Sequence, residues 1–201
     1  MNYLAIDTSG KNLTLVACKN GIVHKYFDAN CGVAHSVSLL PEIEKILEKA
    51  SFSVSDCDFI ACVVGAGSFT GIRIGVSTAK ALAFAYGKKV LSITSFDCLA
   101  YNKKDGKRLA VIDAKHNGFF VCGYDGDEIT YPPSYVMSDT LDALAMEYLL
   151  LCDTEIDLPY EKADIVEGLI NAIDVKKESA SENINSLVPL YCRKSQAEEG
   201  R

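Results

Sequence analysis

The apolar run Ile60-Ala61-Cys62-Val63-Val64 passes into Gly65-Ala66-Gly67-Ser68-Phe69-Thr70-Gly71 and then into Ile72-Arg73-Ile74-Gly75. The order is strand, glycine turn, helix start. Glycines at 65 and 67 admit backbone angles and close approaches denied to other residues, and Ser68 or Thr70 can cap the following helix through a side-chain oxygen. Such a turn aims free backbone N–H groups outward, the usual arrangement for holding an anion. The same spacing also serves a tight turn that merely packs the helix on its strand, and the residues leave both readings open. Neither the Rossmann spacing nor a Walker sequence with its lysine is present.

Other chemistries find less support. The three histidines, His24, His35 and His116, lie far apart with no H-E-x-x-H, so no metal site is expected. His35, next to Ser36 at a helix start, reads as a polar or capping residue. Ser68 lacks the G-x-S-x-G elbow of a nucleophilic serine, because Phe69-Thr70-Gly71 follows it. Eight cysteines, at 18, 31, 57, 62, 98, 122, 152 and 192, are scattered without a C-x-x-C pair and are expected to be reduced, mostly in the core.

The elements that must position these residues follow from patterning. Residues 3–7 read as a strand that turns at Asp7-Thr8-Ser9-Gly10 and returns over 13–17, and Lys19-Asn20-Gly21 leads into a third antiparallel strand over 22–27. From 35 to 50 the apolar positions follow helical spacing around an interrupting Pro41. In the helix expected over 71–86, Gly71, Gly75, Ala79 and Ala83 recur every four residues as a smooth stripe, able to face the chain's own sheet, a neighbouring helix or a second chain. Further strands are expected over 58–64, 90–93, 108–112 and 118–124, with helices over 95–100, 140–151 and 163–172. The charged cluster Lys103-Lys104-Asp105-Gly106-Lys107 marks the expected boundary between domains 1–102 and 103–201.

Composition bounds the partners. The 201 residues carry 27 acidic and 20 basic side chains, a net charge of −7, which argues against binding nucleic acid alone through a broad basic face. No basic flank with an apolar stretch opens the chain and no run reaches membrane-spanning length. A cytoplasmic protein with no membrane partner is expected.

The turn Asp7-Thr8-Ser9-Gly10 resembles the first phosphate-binding turn of the actin, sugar-kinase and Hsp70-like superfold. Together with His35-Ser36-Val37-Ser38-Leu39-Leu40-Pro41, the block Gly65 to Gly75, Ala79-Lys80, Asp113-Ala114-Lys115 and the closing Pro189-Leu190-Tyr191-Cys192-Arg193-Lys194-Ser195-Gln196-Ala197-Glu198, the chain resembles the bacterial TsaB (YeaZ) family over nearly its whole length. The resemblance implies an actin-like (ribonuclease H-like) α/β fold of two small domains, the second degenerate. It also implies a non-catalytic role in forming threonylcarbamoyladenosine beside the tRNA anticodon.

In that family a catalytic paralogue, TsaD, forms a heterodimer with TsaB, the ATPase TsaE joins the pair, and TsaB alone self-associates. The tRNA is then met indirectly through the complex. The shared surface uses the two helices placed here at 35–50 and 71–86, so the expected interface is Leu39, Leu40, Ile43, Ile46, Leu47, Gly75, Val76, Ala79, Leu82 and Ala83. No catalytic residue and no cofactor of its own are expected, although ATP or ADP at the TsaD boundary would meet Asp7, Thr8, Ser9, Gly65, Gly67 and Ser68. An independent actin-like ATPase or kinase and a glycoprotease-like peptidase are the competing readings. Two departures stand out. Ala66 replaces the family's usual proline, and Asp113-Ala114-Lys115-His116-Asn117 replaces an Asp-Ala-Arg pattern followed by glutamate and tyrosine.

Overall fold

The computed structural model of the chain describes residues 1–29, 31 and 35–193. Of the closing motif, 194–198 lie outside the described residues. By contact the chain divides into two units, 1–94 with 173–190, and 95–172 with 191–193. Residues 95–102 thus group with the second unit and 173–190 with the first, unlike the ranges 1–102 and 103–201 expected from the sequence.

In the first unit β1 (Tyr3–Asp7), β2 (Leu13–Lys19) and β3 (Ile22–Asp28) form the expected antiparallel meander, and β4 (Phe59–Val63) and β5 (Lys89–Ile93) add in parallel on the far side of β1. The sheet order is β3-β2-β1-β4-β5. β1 and β4 are buried along their whole length, so they read as continuous apolar runs and not as alternating ones. Leu4 and Ile6 face α1 (His35–Lys49) and α2 (Phe69–Tyr86), which share one apolar core with them, while Tyr3 and Phe59 stack at 5.4 Å elsewhere on the sheet. Pro41 lies inside α1 at an exposed position, and the helix continues through it.

The second unit repeats this order. β6 (Lys107–Asp113), β7 (Gly118–Asp125) and β8 (Glu128–Met137) are antiparallel, and β9 (Leu149–Cys152) and β10 (Glu161–Lys162) add in parallel beside β6, giving β10-β9-β6-β7-β8. β8 was not foreseen, since it contains Pro132 and Pro133. It is an edge strand, where a missing N–H is tolerated. The helix expected over 140–151 is instead α4 (Ser138–Ala145) followed by β9, because Leu149, Leu150 and Leu151 pair with Arg108, Leu109 and Ala110 of β6. The helix expected over 163–172 is α5 (Ile165–Lys176).

Beneath α3 (Ser95–Ala100), Arg108 is 1% exposed and donates to the carbonyls of Ala100, Lys104, Gly106 and Gly126 at 2.6–3.2 Å. Tyr124 donates to the buried Asp97 at 3.0 Å. These buried polar residues carry no sequence motif, and the sequence reading passed over them. All eight cysteines are free thiols, seven of them buried, as expected.

Candidate functional site

The first unit brings all six candidate anion-binding residues together. Asp7 ends β1 and is 7% exposed, and its Oδ1 accepts from the Ser9 N–H at 2.8 Å and from the Ser9 hydroxyl at 2.7 Å. An aspartate that accepts from the N–H two residues on builds its own turn. Thr8, 1% exposed, donates from Oγ1 to the Gly71 carbonyl at 2.6 Å. The Ser68 N–H donates to the Ser9 carbonyl at 2.6 Å, and the Ser68 hydroxyl caps α2 by accepting from the Gly71 N–H at 3.2 Å. Sequence reasoning named Ser68 or Thr70 as the cap, and the structure assigns it to Ser68.

The glycines are shaped by the same contacts. A Cβ on Gly67, at φ +149, would fall on the Ser9 carbonyl oxygen, and one on Gly71 would fall on the Thr8 carbonyl oxygen. Gly65 abuts the Leu190 carbonyl, 2.6 Å from where its Cβ would stand, and the Gly65–Ala66 peptide is cis. The glycine loop is therefore packed against the chain's own β1–β2 turn, and the Ser9 carbonyl takes the Ser68 N–H that an anion's oxygen would otherwise want. Of the two readings the spacing left open, this geometry favours the packing turn. The second unit repeats the device: Asp113 ends β6, and its Oδ1 accepts from the Lys115 N–H at 2.8 Å.

The small-residue stripe on α2 faces the chain's own sheet. Ala79 and Ala83 are 0% and 1% exposed, and a Cβ on Gly75 would stand 2.5 Å from the Thr8 hydroxyl and 3.6 Å from Cys62 Sγ. This corrects most of the expected interface. Leu39, Ile43, Ile46, Leu47, Val76, Ala79 and Ala83 are 7% exposed or less and belong to the core with β1, β2 and β4, Gly75 is buried, and Leu82 is half-buried against that core. Side chains closed off within their own unit cannot form the centre of a surface.

Leu40 alone of that set is well exposed, at 55%. It lies on the outer side of α1 with Val37, 76% exposed, one turn before it. On α2 the exposed positions 70, 73, 77, 81 and 84 recur at helical spacing, with Arg73 3.9 Å over the Phe69 ring and Phe84 79% exposed. Sequence reasoning passed over Phe84 as a surface residue. Its signal is the helical wheel, since it stands one residue, about 100°, beyond the buried Ala83. α1 and α2 touch and lie over one core.

His35 opens α1 and is 1% exposed, with Nε2 3.1 Å from the Gly10 carbonyl oxygen. Among the described residues no three His, Cys, Asp or Glu side chains converge as a metal site, and no helix is long and apolar enough to cross a membrane.

Comparison with known proteins agrees with this architecture. A family model described as TsaD, tRNA N6-adenosine threonylcarbamoyltransferase, matches residues 29–177. The tRNA threonylcarbamoyladenosine biosynthesis protein TsaB of Escherichia coli K12 is 31% identical over 64% of this chain and 57% of its own length. A TsaB from Buchnera aphidicola is likewise matched over 55% of its length, so this chain spans little more than half of either relative. The TsaB of Bacillus subtilis 168 is 25% identical over 98% of this chain and 96% of its own. Among solved structures, YeaZ from Pseudomonas aeruginosa superimposes with a TM-score of 0.72 at 20% identity, covering 94% of this chain and 99% of that one. With two sheets of matching order, the aspartate turn after the first strand of each, and these likenesses, the chain belongs to the TsaD-type family, among its TsaB (YeaZ) members, and has the actin-like α/β fold.

Proposed function

We propose that this chain is a non-catalytic subunit of the machinery that forms threonylcarbamoyladenosine in tRNA, acting as the partner of a TsaD-type catalytic paralogue. The observation that carries the reading is the filled glycine loop. Asp7, Thr8, Ser9 and Ser68 satisfy one another or α2, and the faces of Gly67 and Gly71 are occupied by the chain's own carbonyls. A chain so arranged has no cofactor of its own there, and ATP or ADP at a shared boundary would be held chiefly by the paralogue. The names of the relatives support the pathway, and the exposed apolar residues of adjoining helices support an assembly role.

The partner surface is the outer side of α1 and α2, with Val37 and Leu40 exposed on α1 and Phe84 exposed on α2, in place of the buried residues first expected. Alone, the chain pairs with a second copy through the same side, because a two-fold dimer uses one patch twice. TsaE joins the heterodimer, and tRNA is met through the assembled complex in the cytoplasm.

Sedimentation of the chain alone and with TsaD tests this. TsaD should convert the homodimer into a heterodimer, and Leu40→Glu should weaken both forms. A homodimer that persists beside TsaD, or hydrolysis of ATP by the pure chain, would contradict the proposal.

A further inference from the structure

We propose that His35 is the residue that positions the exposed side of α1, by seating that helix on the same turn that holds α2; the inference rests on reading this side as the partner surface. The turn at residues 7–10 carries three attachments. Thr8 Oγ1 donates to the Gly71 carbonyl in the first turn of α2, the Ser9 carbonyl accepts from Ser68 just before α2, and His35 Nε2 meets the Gly10 carbonyl at the first residue of α1. One short turn therefore hangs both helices in a common frame.

The histidine is a costly choice for this place. A carbonyl only accepts, so Nε2 is the N–H donor, and in the neutral ring Nδ1 is then a bare acceptor. That atom is buried and has no hydrogen-bond partner among the described residues. An orphaned buried acceptor lowers stability. An apolar side chain of similar size would remove the orphan, and Gly10 is exposed, so its carbonyl could turn to water. Stability of the fold thus gives little reason for histidine at 35, whereas the bond to Gly10 does.

The buried Leu39, Ile43, Ile46 and Leu47 set the rotation of α1 on the sheet, and the His35 bond ties down its first turn, from which positions 37 and 40 project. The effect is geometric: His35 touches no partner, yet it holds in place the turn that presents Val37 and leads to Leu40. Both are exposed, and neither is otherwise needed by the core.

The test uses His35→Leu and His35→Gln in the whole chain, with melting, amide exchange and pairing with TsaD as readouts. His35→Leu should leave the melting temperature within about 3 °C of the parent. It should speed exchange over the first two turns of α1 and weaken pairing about tenfold. His35→Gln, whose amide can donate to the Gly10 carbonyl, should restore protection and bring pairing to within about threefold. Unchanged exchange in His35→Leu overturns the proposal. So does a joint fall in melting temperature and pairing that His35→Gln fails to rescue, since that marks a merely structural residue. Parent pairing that ignores Leu40→Glu contradicts the reading of the face, whereas exchange in the chain alone judges His35 by itself.

Discussion

Gly67 and Gly71 are small because the Ser9 and Thr8 carbonyls stand where their Cβ atoms would be. Backbone atoms cannot swing aside as a flexible side chain can, so Gly67→Ala and Gly71→Ala should each lose about 2–3 kcal/mol in urea unfolding. Gly10→Ala, with open space around it and no positive φ, should change stability by less than about 0.5 kcal/mol. This is also where the sequence stopped being informative. A phosphate and a peptide carbonyl both present oxygen acceptors, and both demand glycines and free N–H groups opposite them. Which of the two fills the loop depends on a turn some 60 residues away, and no local spacing encodes that. Thiol chemistry gives a second test at this scale. Burial pushes the Cys57 thiol up to about 12 and that of Cys192 up to about 11. At pH 8 the native chain should alkylate slowly, Cys192 first because it alone is not fully buried, and all eight thiols should react rapidly once the chain is denatured. A rapid native burst from several thiols would contradict the burial described.

Helix α2 was legible as an element, but its orientation was not. The four-residue repeat of Gly71, Gly75, Ala79 and Ala83 shows that something packs closely on that side, and a sheet satisfies it as well as a second chain does. The structure resolves the choice in favour of the sheet, and the expected mutants exchange roles. Ala79→Glu and Ala83→Glu place an unpaired carboxylate at positions 0% and 1% exposed, and should unfold the first unit, a loss of about 4 kcal/mol or more by thermal melting. Leu40→Glu and Phe84→Glu, at 55% and 79% exposure, should leave melting nearly unchanged and weaken pairing about tenfold or more. Strand and helix confusion in the second unit has a similar origin. The apolar run 148–152 fits either period, and only its pairing with β6 makes it a strand.

Across the molecule, the two sheets share one order, with three antiparallel strands followed by two parallel ones. The first half of that plan was legible because hairpin turns and long apolar runs are local signals. In the second, β6, β7 and α5 were legible too, but β8, β9 and β10 were not, because there is no helix between β9 and β10, β10 has two residues and β8 is a proline-bearing edge strand. The repeated aspartate turn has a measurable consequence. Burial raises the Asp113 carboxyl, but hydrogen bonds from the Lys115 side chain and backbone outweigh it and hold the group below its ordinary value. A carboxyl so lowered stabilises the folded form above the ordinary carboxylate range, and that contribution is lost as the pH falls through the lowered value. Acid titration of unfolding should show this loss below about pH 4, and Lys115→Ala should reduce it.

The most direct test of the account is tRNA threonylcarbamoyl transfer, reconstituted from TsaD, TsaE, ATP and threonylcarbamoyl-adenylate with and without this chain, and with the chain alone. Transfer is expected when the chain joins TsaD, little without it, little with Leu40→Glu, and none from the chain by itself. Full transfer in its absence, or transfer by the chain alone, would contradict a required non-catalytic partner.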